Sequence, residues 1–208
     1  FKFKNLGGRP VPSLLRRFSA PVKLDYTPSH PELIFQLAHD DDLFNRWEAG
    51  QMLAQQVIQG QVDSGQFDGG QPDQPIDDQV LDAFGAVLAD PQLDPAMIAQ
   101  IFTLPGEAIL AEQQHEINPE AIYLARKNLR SALANRHKLA LRERYQSMQS
   151  SQAYQFAPHQ NAARALKNCC LAYLLDQPEE QDVELAMAQF QTADNMTDSI
   201  AALAALIH

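Results

Sequence analysis

The stretch Ser29-His30-Pro31-Glu32-Leu33-Ile34-Phe35-Gln36-Leu37-Ala38 marks the point at which a helical pattern begins. Ser29 and Glu32 have the spacing of a capping box, in which two side chains bond the backbone N–H groups at a helix start. Pro31 fits the first turn because no backbone donor is needed there. Apolar residues then recur on one face, at Leu33, Ile34, Leu37 and Ala38. The stretch therefore predicts the first helix of the chain.

Helical patterns continue from this point to the end of the sequence. Asp40-Asp41-Asp42 supplies caps for a second helix, in which Trp47 is expected to anchor the core. Asp94-Pro95 and Asn118-Pro119-Glu120 are further helix starts, and the second of these is expected to open the longest helix, running to about Met148. The other predicted inward faces are Val80, Phe84, Val87 and Leu88; Ile98, Ile101 and either Phe102 or Leu104; Ala162, Leu166, Cys169 and Tyr173; Val183, Ala186, Met187 and Phe190; and Ile200, Leu203, Ala204 and Ile207.

Two segments depart from the helical pattern. Residues 59–76 mix glycine and proline with polar residues, which predicts a mobile loop. Residues 1–26 alternate apolar and polar side chains at Phe1 and Phe3 and again from Ala20 to Tyr26, which predicts two short strands. We therefore expect a mainly α fold: an α-solenoid-like superhelical array of antiparallel helix pairs, with a short N-terminal β remnant.

Composition narrows the class of protein. An apolar fraction of 45% is ample for a buried core, and the net charge of −10 disfavours nucleic acid as a partner because a polyanion is repelled. No window of ~18 consecutive apolar residues suits a membrane span, and no secretion signal opens the chain. We expect a soluble protein segment of the cytoplasm, with neither a membrane nor a nucleic acid as partner.

Few residues suggest chemistry. His115-Glu116 begins like a zinc-hydrolase motif, but the position of the second histidine is Pro119, so zinc binding is not expected. His39 with Asp40-Asp41-Asp42 resembles a cation site, yet adjacent residues on a turn cannot all converge on one ion, and a helix cap is the preferred interpretation. Cys169 and Cys170 diverge by about 100° on a helix, so they are expected to pack in the core rather than to form a disulfide.

The most suggestive local feature is a basic stretch from residue 126 to residue 144. It concentrates seven of the sixteen cationic residues of the chain: Arg126, Lys127, Arg130, Arg136, Lys138, Arg142 and Arg144. It either faces a phosphate or a peptide carboxylate, or forms the solvated side of an amphipathic helix. The absence of interleaved aromatic residues argues against stacking on nucleic-acid bases.

Residues 10–24, Pro-Val-Pro-Ser-Leu-Leu-Arg-Arg-Phe-Ser-Ala-Pro-Val-Lys-Leu, resemble the segment of the aminopeptidase N family that links a small β domain to a helical domain. The likeness continues in order through residues 44–49, Phe-Asn-Arg-Trp-Glu-Ala; residues 165–171, Ala-Leu-Lys-Asn-Cys-Cys-Leu; and residues 194–198, Asp-Asn-Met-Thr-Asp. It covers essentially the whole chain, while residues 59–76 and 146–156 look less typical of the family.

The resemblance implies a parent enzyme, a zinc metallopeptidase of the gluzincin class, that removes N-terminal residues from peptides. Its single zinc is held by a His-Glu-x-x-His helix and a downstream glutamate. None of these ligands matches a position of this chain, so no catalytic, cofactor-binding or metal-ligating residue is expected here. Residues 1–26 correspond to the end of the β-sandwich domain and a linker, and residues 27–208 to the first part of the helical C-terminal domain.

The functional expectation follows from this resemblance. In the family, the helical domain closes over the catalytic domain and leaves a restricted cavity that admits peptides. We expect a non-catalytic lid and scaffold segment of a zinc aminopeptidase, whose partners are peptide substrates and the catalytic domain of the same polypeptide. The alternative is a stand-alone helical adaptor that binds a protein partner along a concave face.

Overall fold

The computed structural model describes residues 4, 7–65, 67–68, 71–72, 75–150 and 152–207. These ranges are mainly helical, as predicted, with a 3₁₀ turn at Arg16–Phe18 and a two-stranded ribbon of β1 (Phe67–Asp68) and β2 (Gln71–Pro72). The helices are α1 (His30–His39), α2 (Leu43–Ser64), α3 (Asp78–Ala89), α4 (Pro95–Phe102), α5 (Glu107–Ala111), α6 (Pro119–Arg136), α7 (Lys138–Ser147), α8 (Pro158–Leu174), α9 (Glu180–Thr192) and α10 (Met196–Ile207). None of the described helices is long and apolar enough to cross a membrane.

The predicted helix starts are confirmed by their caps. The Ser29 N–H donates to Glu32 Oε2 at 2.8 Å, which forms the expected half of the capping box. The side chains of Asp42, Asp94 and Asn118 each accept a hydrogen bond from a backbone N–H two or three residues further along. These bonds satisfy donors that have no partner within the helix, so each start is fixed locally by the sequence.

The core is a continuous cluster that joins helices far apart in the chain. Phe84 of α3, Phe102 of α4 and Tyr173 of α8 meet edge to face, with ring centroids 5.6 and 5.5 Å apart. The Tyr173 hydroxyl donates to the Phe102 carbonyl at 2.7 Å, so this buried polar atom is satisfied. The helices pack as neighbouring pairs, chiefly α1 with α2, α4 with α8, α7 with α8, and α9 with α10.

The helix predicted from residue 118 to about 148 is interrupted. It ends at Arg136, and α7 starts after His137, so the 22-residue α2 is the longest helix of the described residues. The His137 imidazole lies against Gly85 of α3, and its Nε2 is 2.8 Å from the Leu81 carbonyl oxygen. The break therefore coincides with a tertiary contact that the local helical pattern does not reveal.

The loop predicted over residues 59–76 begins later than expected. Helix α2 continues to Ser64 and buries Gln61, and Gly65 follows with φ of 62°, the left-handed conformation common at helix ends. Beyond it the two short strands pair antiparallel, Phe67 with Pro72. Residues 66, 69–70 and 73–74 lie outside the described residues, and the mobility of this loop stays a prediction.

The predicted N-terminal β remnant is not seen, and this expectation is corrected for residues 7–26, which form no strand. Prolines lack the N–H that a β ladder requires, and four interrupt the stretch between residues 10 and 28. The segment lies instead on α1 and α2, where Gln36 Nε2 donates to the Pro12 carbonyl and Asn45 Nδ2 to the Leu14 carbonyl. Phe1 and Phe3 lie outside the described residues, and the boundary between residues 26 and 27 stays a prediction.

Two expectations about packing are also corrected. Trp47 is half-buried at the edge of the core, next to the Phe44 ring at 5.6 Å, and not inside it. Helices α9 and α10 pack against each other, and Ala186 of α9 and Ala202 of α10 are fully buried. Their larger apolar side chains form an exposed surface, which we call the α9–α10 face: Val183, Met187, Phe190, Met196, Ile200, Leu203 and Ile207.

Candidate functional site

Most cations of the basic stretch bond neighbouring helices. Arg136 Nη2 donates to Asp82 Oδ1 of α3 at 2.7 Å, and Arg144 Nε donates to the Leu88 carbonyl of the same helix at 2.6 Å. Lys138 lies 3.1 Å from Glu179, which caps the start of α9. These three side chains are therefore neither a ligand platform nor merely solvated, because they fasten α6 and α7 to the helices on either side.

The strongest of these links joins α7 to α9. Arg142 Nε donates to Asp182 Oδ1 at 2.7 Å, and its Nη2 donates to Glu179 Oε2 at 2.6 Å. Hydrogen bonds from Gln181, Arg142 and Lys138 lower the pKa of Glu179 from 4.5 to about 2. Burial of Asp182 opposes its ionisation, but hydrogen bonds from Arg142 and the Glu179 N–H outweigh it and hold the pKa of Asp182 below its ordinary value. The cluster is ionised at neutral pH.

A buried polar network joins the last four helices. Lys167 Nζ donates to Asp198 Oδ2 at 2.7 Å, and Asn168 Nδ2 donates to Asp198 Oδ1 at 2.9 Å. Gln189 Nε2 donates to Asn168 Oδ1, and the Tyr145 hydroxyl donates to Gln189 Oε1 at 3.0 Å. The network brings together two of the segments that carry the family resemblance, residues 165–171 and 194–198. Its interlocking bonds indicate a packing role, since every member is satisfied by another.

The first three cations of the basic stretch line a cleft between α6, α8 and α10, which we call the basic cleft. Its volume is about 520 Å³. Arg130 Nε lies 3.2 Å from Asp176, and Lys127 lies over the Tyr123 ring, 5.9 Å from its centroid. The cleft is lined by Tyr123, Arg126, Lys127, Arg130, Asn168, Ala172, Leu175, Asp176, Ala201, Ala204 and Ala205.

A second cavity of about 350 Å³ shares Arg126, Arg130 and Ala172 with the basic cleft. Its other walls are mostly apolar or small, among them Ala165, Cys169 and Tyr173, with Gln100 and Thr103 as polar members. The two cavities therefore adjoin across the two arginines, and a ligand in the basic cleft has an apolar space within reach. Together they form a concave region that suits a small polar ligand with an apolar part.

The other candidates named from the sequence are placed in structural roles. Arg16 Nη2 bonds Asp41 at 2.6 Å and its Nη1 lies 3.5 Å from Asp40, while Asp42 caps α2, so the acidic run beside His39 is occupied by protein partners. His115 is exposed in the connection between α5 and α6. Among the described residues, no three His, Cys, Asp or Glu side chains are grouped in a way that fits a metal ion.

The two cysteines are free thiols, as expected. Cys170 is buried and Cys169 is half-buried against the core, so both pack there as expected. Burial raises the pKa of Cys169 to about 12, and burial followed by the neighbouring thiol raises the pKa of Cys170 still further. Because the thiolate is the reactive form, neither is poised as a nucleophile at neutral pH.

Residues 30–208 match the profile of a protein family described as a domain of unknown function with ARM repeats, DUF3458_C. The chain belongs to this family. Family membership accounts for the mainly helical architecture, since ARM repeats are built from stacked helices. The family spans all ten described helices, from His30 of α1 onward.

The curated relatives are aminopeptidases, and the resemblance to the aminopeptidase N family is confirmed. Aminopeptidase N of Escherichia coli strain K12 is 39% identical over 207 residues, which is 100% of this chain and 23% of the relative. The proteins of the same name from Caulobacter vibrioides and Haemophilus influenzae are 36% and 34% identical, over 93% and 98% of the chain and 22% and 23% of their own lengths. The chain thus spans about a quarter of these relatives.

A solved structure agrees with this assignment. The Legionella pneumophila aminopeptidase A crystallised in complex with aspartic acid superposes with a TM-score of 0.80 at 31% identity, over 100% of this chain and 24% of that one. This DUF3458_C segment is therefore homologous to the C-terminal domain of aminopeptidases.

Sequence reasoning found some residues of the basic cleft and missed others. It identified Arg126, Lys127 and Arg130, but it grouped them with four cations that bond α3 and α9 instead. It missed Asp176 and the α10 alanines. The spacing of Tyr123 and Lys127, four residues apart, is a signal that places both on one side of α6. Nothing local predicts that α10 lies opposite.

Proposed function

We propose that this chain is a non-catalytic scaffold and lid segment of a zinc-dependent aminopeptidase that removes N-terminal residues from peptides. The observation that carries the proposal is the match of the whole chain to aminopeptidases in sequence and in structure, at 39% identity and a TM-score of 0.80. The segment acts by shaping and enclosing the cavity in which the catalytic domain of the same polypeptide works on peptides.

Zinc, on this proposal, is held elsewhere in the parent polypeptide. The residues of this chain do not fit the ion, because Pro119 stands where the second histidine of the motif is required and His115 lies exposed in a helix connection. The contribution of the segment is therefore mechanical and electrostatic. We derive no step of the reaction from its residues.

Two features support a scaffold role. The cations of α6 and α7 bond α3 on one side and α9 on the other, and the Lys167–Asp198 pair fastens α8 to α10. Such cross-links suit a stack of helices that keeps its shape while a substrate is enclosed. The proposal includes the superhelical arrangement of antiparallel helix pairs, which the ARM-repeat family description favours.

The α9–α10 face supplies the contact with the rest of the parent. Its apolar side chains are exposed over a wide range, from Val183 at 37% to Met196 at 75%. Several exposed apolar side chains on two helices that pack together are typical of an interaction site. Since the relatives are about four times longer than this chain, we propose that the remainder of the same polypeptide covers the face. The adaptor alternative gains no support from the comparisons.

The proposal is tested on the full-length parent protein. We expect its reading frame to contain an upstream His-Glu-x-x-His helix, and the purified protein to hold zinc and to release the arylamine from an aminoacyl arylamide. A reading frame that starts near Phe1, or a parent protein that holds no zinc and shows no such hydrolysis, would overturn the proposal. Removing the segment from an active parent should abolish a preference for short over long peptides if it closes the cavity.

A further inference from the structure

The basic cleft carries an excess of positive charge in an acidic protein. Its lining includes three cations, Arg126, Lys127 and Arg130, and one carboxylate, Asp176. Arg130 forms an ion pair with Asp176, with Nε 3.2 Å from Oδ1, and the Ser131 hydroxyl donates to Asp176 Oδ2 at 2.5 Å, so the charge of that carboxylate is already balanced. Two positive charges are left on Arg126 and Lys127, in a chain whose net charge is −10. A concave region with such a local excess attracts anions.

The two remaining cations are held ready for a ligand. Arg126 Nε donates to the Pro105 carbonyl at 2.8 Å, which fixes the guanidinium plane while its terminal N–H groups bond no other described residue. Among the described residues no carboxylate lies within 4.0 Å of Lys127, whose ammonium sits 5.9 Å from the Tyr123 ring. Both side chains line the basic cleft, so a carboxylate bound there can accept a charge-assisted hydrogen bond from either cation.

The side chains around Arg126 and Lys127 indicate which kind of anion fits the basic cleft. One wall is formed by the small residues Ala201, Ala204 and Ala205 of α10, which leave space and offer no polar group. The adjoining cavity of about 350 Å³ is bounded by Ala165 and Cys169. A ligand with one carboxylate and an apolar group attached next to it fills both spaces, whereas an extended polyanion meets the acidic surface of the chain.

We infer that the basic cleft binds the C-terminal carboxylate of a peptide, with Arg126 and Lys127 as the partners of the carboxylate and the adjoining cavity as the space for the last side chain. The choice of a peptide as the carrier of the carboxylate rests on the proposed function. The site recognises the end of the peptide opposite to the one at which an aminopeptidase acts. It therefore holds a substrate without taking part in the chemistry.

The experiment compares two forms of one probe on the full-length protein. The probe is the tripeptide Ala-Ala-Leu with a fluorescein label that blocks its N-terminus, made once as the free acid and once as the C-terminal amide, and binding is measured by fluorescence anisotropy. We expect the free acid to bind about tenfold more tightly than the amide at 50 mM salt, with the difference shrinking at 500 mM because salt screens exposed charges. Equal affinity of the two forms would overturn the inference.

Two variants place the site. Lys127→Met keeps the aliphatic stem, and it should reduce the ratio of acid to amide affinity to about two or less, while Lys23→Met, at an exposed lysine of the N-terminal segment, should leave the ratio unchanged. Ala204→Phe, also at an exposed position, should fill the cleft from α10 and weaken binding of the free acid. An unchanged ratio in Lys127→Met would contradict the assignment.

The outcomes separate this inference from the proposed function. If the parent protein hydrolyses an uncharged aminoacyl amide but binds the acid and amide probes equally, the inference fails and the proposed function stands. If it hydrolyses no aminoacyl substrate yet prefers the free acid through Lys127, the proposed function fails and the cleft remains a carboxylate site.

Discussion

Lys167 and Asp198, 31 positions apart in sequence, meet at 2.7 Å inside the protein, and the exposed fractions of the two residues are 8% and 4%. Asn168 and Asn195 also donate to the Asp198 carboxylate, so its charge is both paired and hydrogen-bonded. A charge buried in this way is tolerated only while its partners are present.

Lys167→Met should therefore destabilise the chain by about 3 kcal/mol, because it leaves the Asp198 carboxylate buried without a counter-ion. Urea denaturation monitored by circular dichroism measures the loss. Lys167→Met combined with Asp198→Leu should lose less than the sum of the two single variants, since no uncompensated charge remains. Additive losses would contradict a direct interaction, and Lys23→Met serves as the exposed control.

Gly85→Ala should destabilise the chain by about 1–3 kcal/mol, because a Cβ at this position overlaps the His137 ring and displaces it from the Leu81 carbonyl. The matched control is Gly60→Ala in α2, where no heavy atom lies within 4 Å of the added Cβ. There, alanine should stabilise by about 0.5–1 kcal/mol through its better helix propensity. Thermal melts measure both variants. If the melting temperatures of both shifted in the same direction, the contact assigned between Gly85 and His137 would be refuted.

The stability of the α7–α9 link should depend on acid pH. The pKa of Glu179 is lowered from 4.5 to about 2 in the folded chain, so its contribution is complete above pH 4.5 and is lost as the pH falls toward 2. Asp182 shifts in the same direction. We expect Arg142→Met to flatten the fall in the free energy of unfolding between pH 5 and pH 2 relative to the unmodified chain. Parallel pH profiles of the two proteins would argue against the cluster.

The α9–α10 face should respond differently in the chain and in its parent. Phe190→Asp and Leu203→Asp change side chains that are each 43% exposed, so in the chain alone the free energy of unfolding should fall by only about 1 kcal/mol, for the part of each side chain that is buried. In the full-length protein the same changes should lower the melting temperature by several degrees, because they place a charge in an apolar contact. Ile117→Asp, at an exposed apolar residue of the α5–α6 connection, is the control. If the effects were equally small in both proteins, the rest of the parent would not cover the α9–α10 face.

Truncating Phe84 and Trp47 in turn should show which of these two aromatic side chains contributes more to the stability of the core. Phe84 is fully buried between α4 and its neighbours, so Phe84→Ala should destabilise by about 3–5 kcal/mol. Trp47 is half-buried, so Trp47→Ala should lose less, about 1–3 kcal/mol. Chemical denaturation of both variants measures the two losses in the free energy of unfolding. A larger loss for Trp47→Ala than for Phe84→Ala would show that Trp47 is a core anchor after all.

The helix starts could be predicted from the sequence, because they depend on residues that are close together in the chain. The caps at Ser29, Asp42, Asp94 and Asn118 act within three residues, and each start is confirmed. The helix break at His137 was not predicted, and the residue that His137 packs against, Gly85, lies 52 positions earlier. A regular apolar pattern on both sides of the break gave no sign of it.

Patterns of apolar residues show that a helix has an apolar side, but not what that side meets. The faces predicted for α9 and α10 exist, yet Phe190 and Leu203 on them are exposed, whereas Ala186 and Ala202 are fully buried. The same holds for the basic stretch, whose positive charge is evident from the sequence. Which of its cations bond other helices and which line the basic cleft depends on the helices that lie next to them.

The contact between Gly85 and His137 ties the two positions together in evolution. Because the imidazole occupies the volume that a Cβ on α3 would need, any larger residue at position 85 requires a smaller or differently oriented one at position 137. In an alignment of homologous domains the two columns should therefore covary, with glycine at the first wherever histidine stands at the second. Homologues that lack both should carry α6 and α7 as a single unbroken helix, longer than α2.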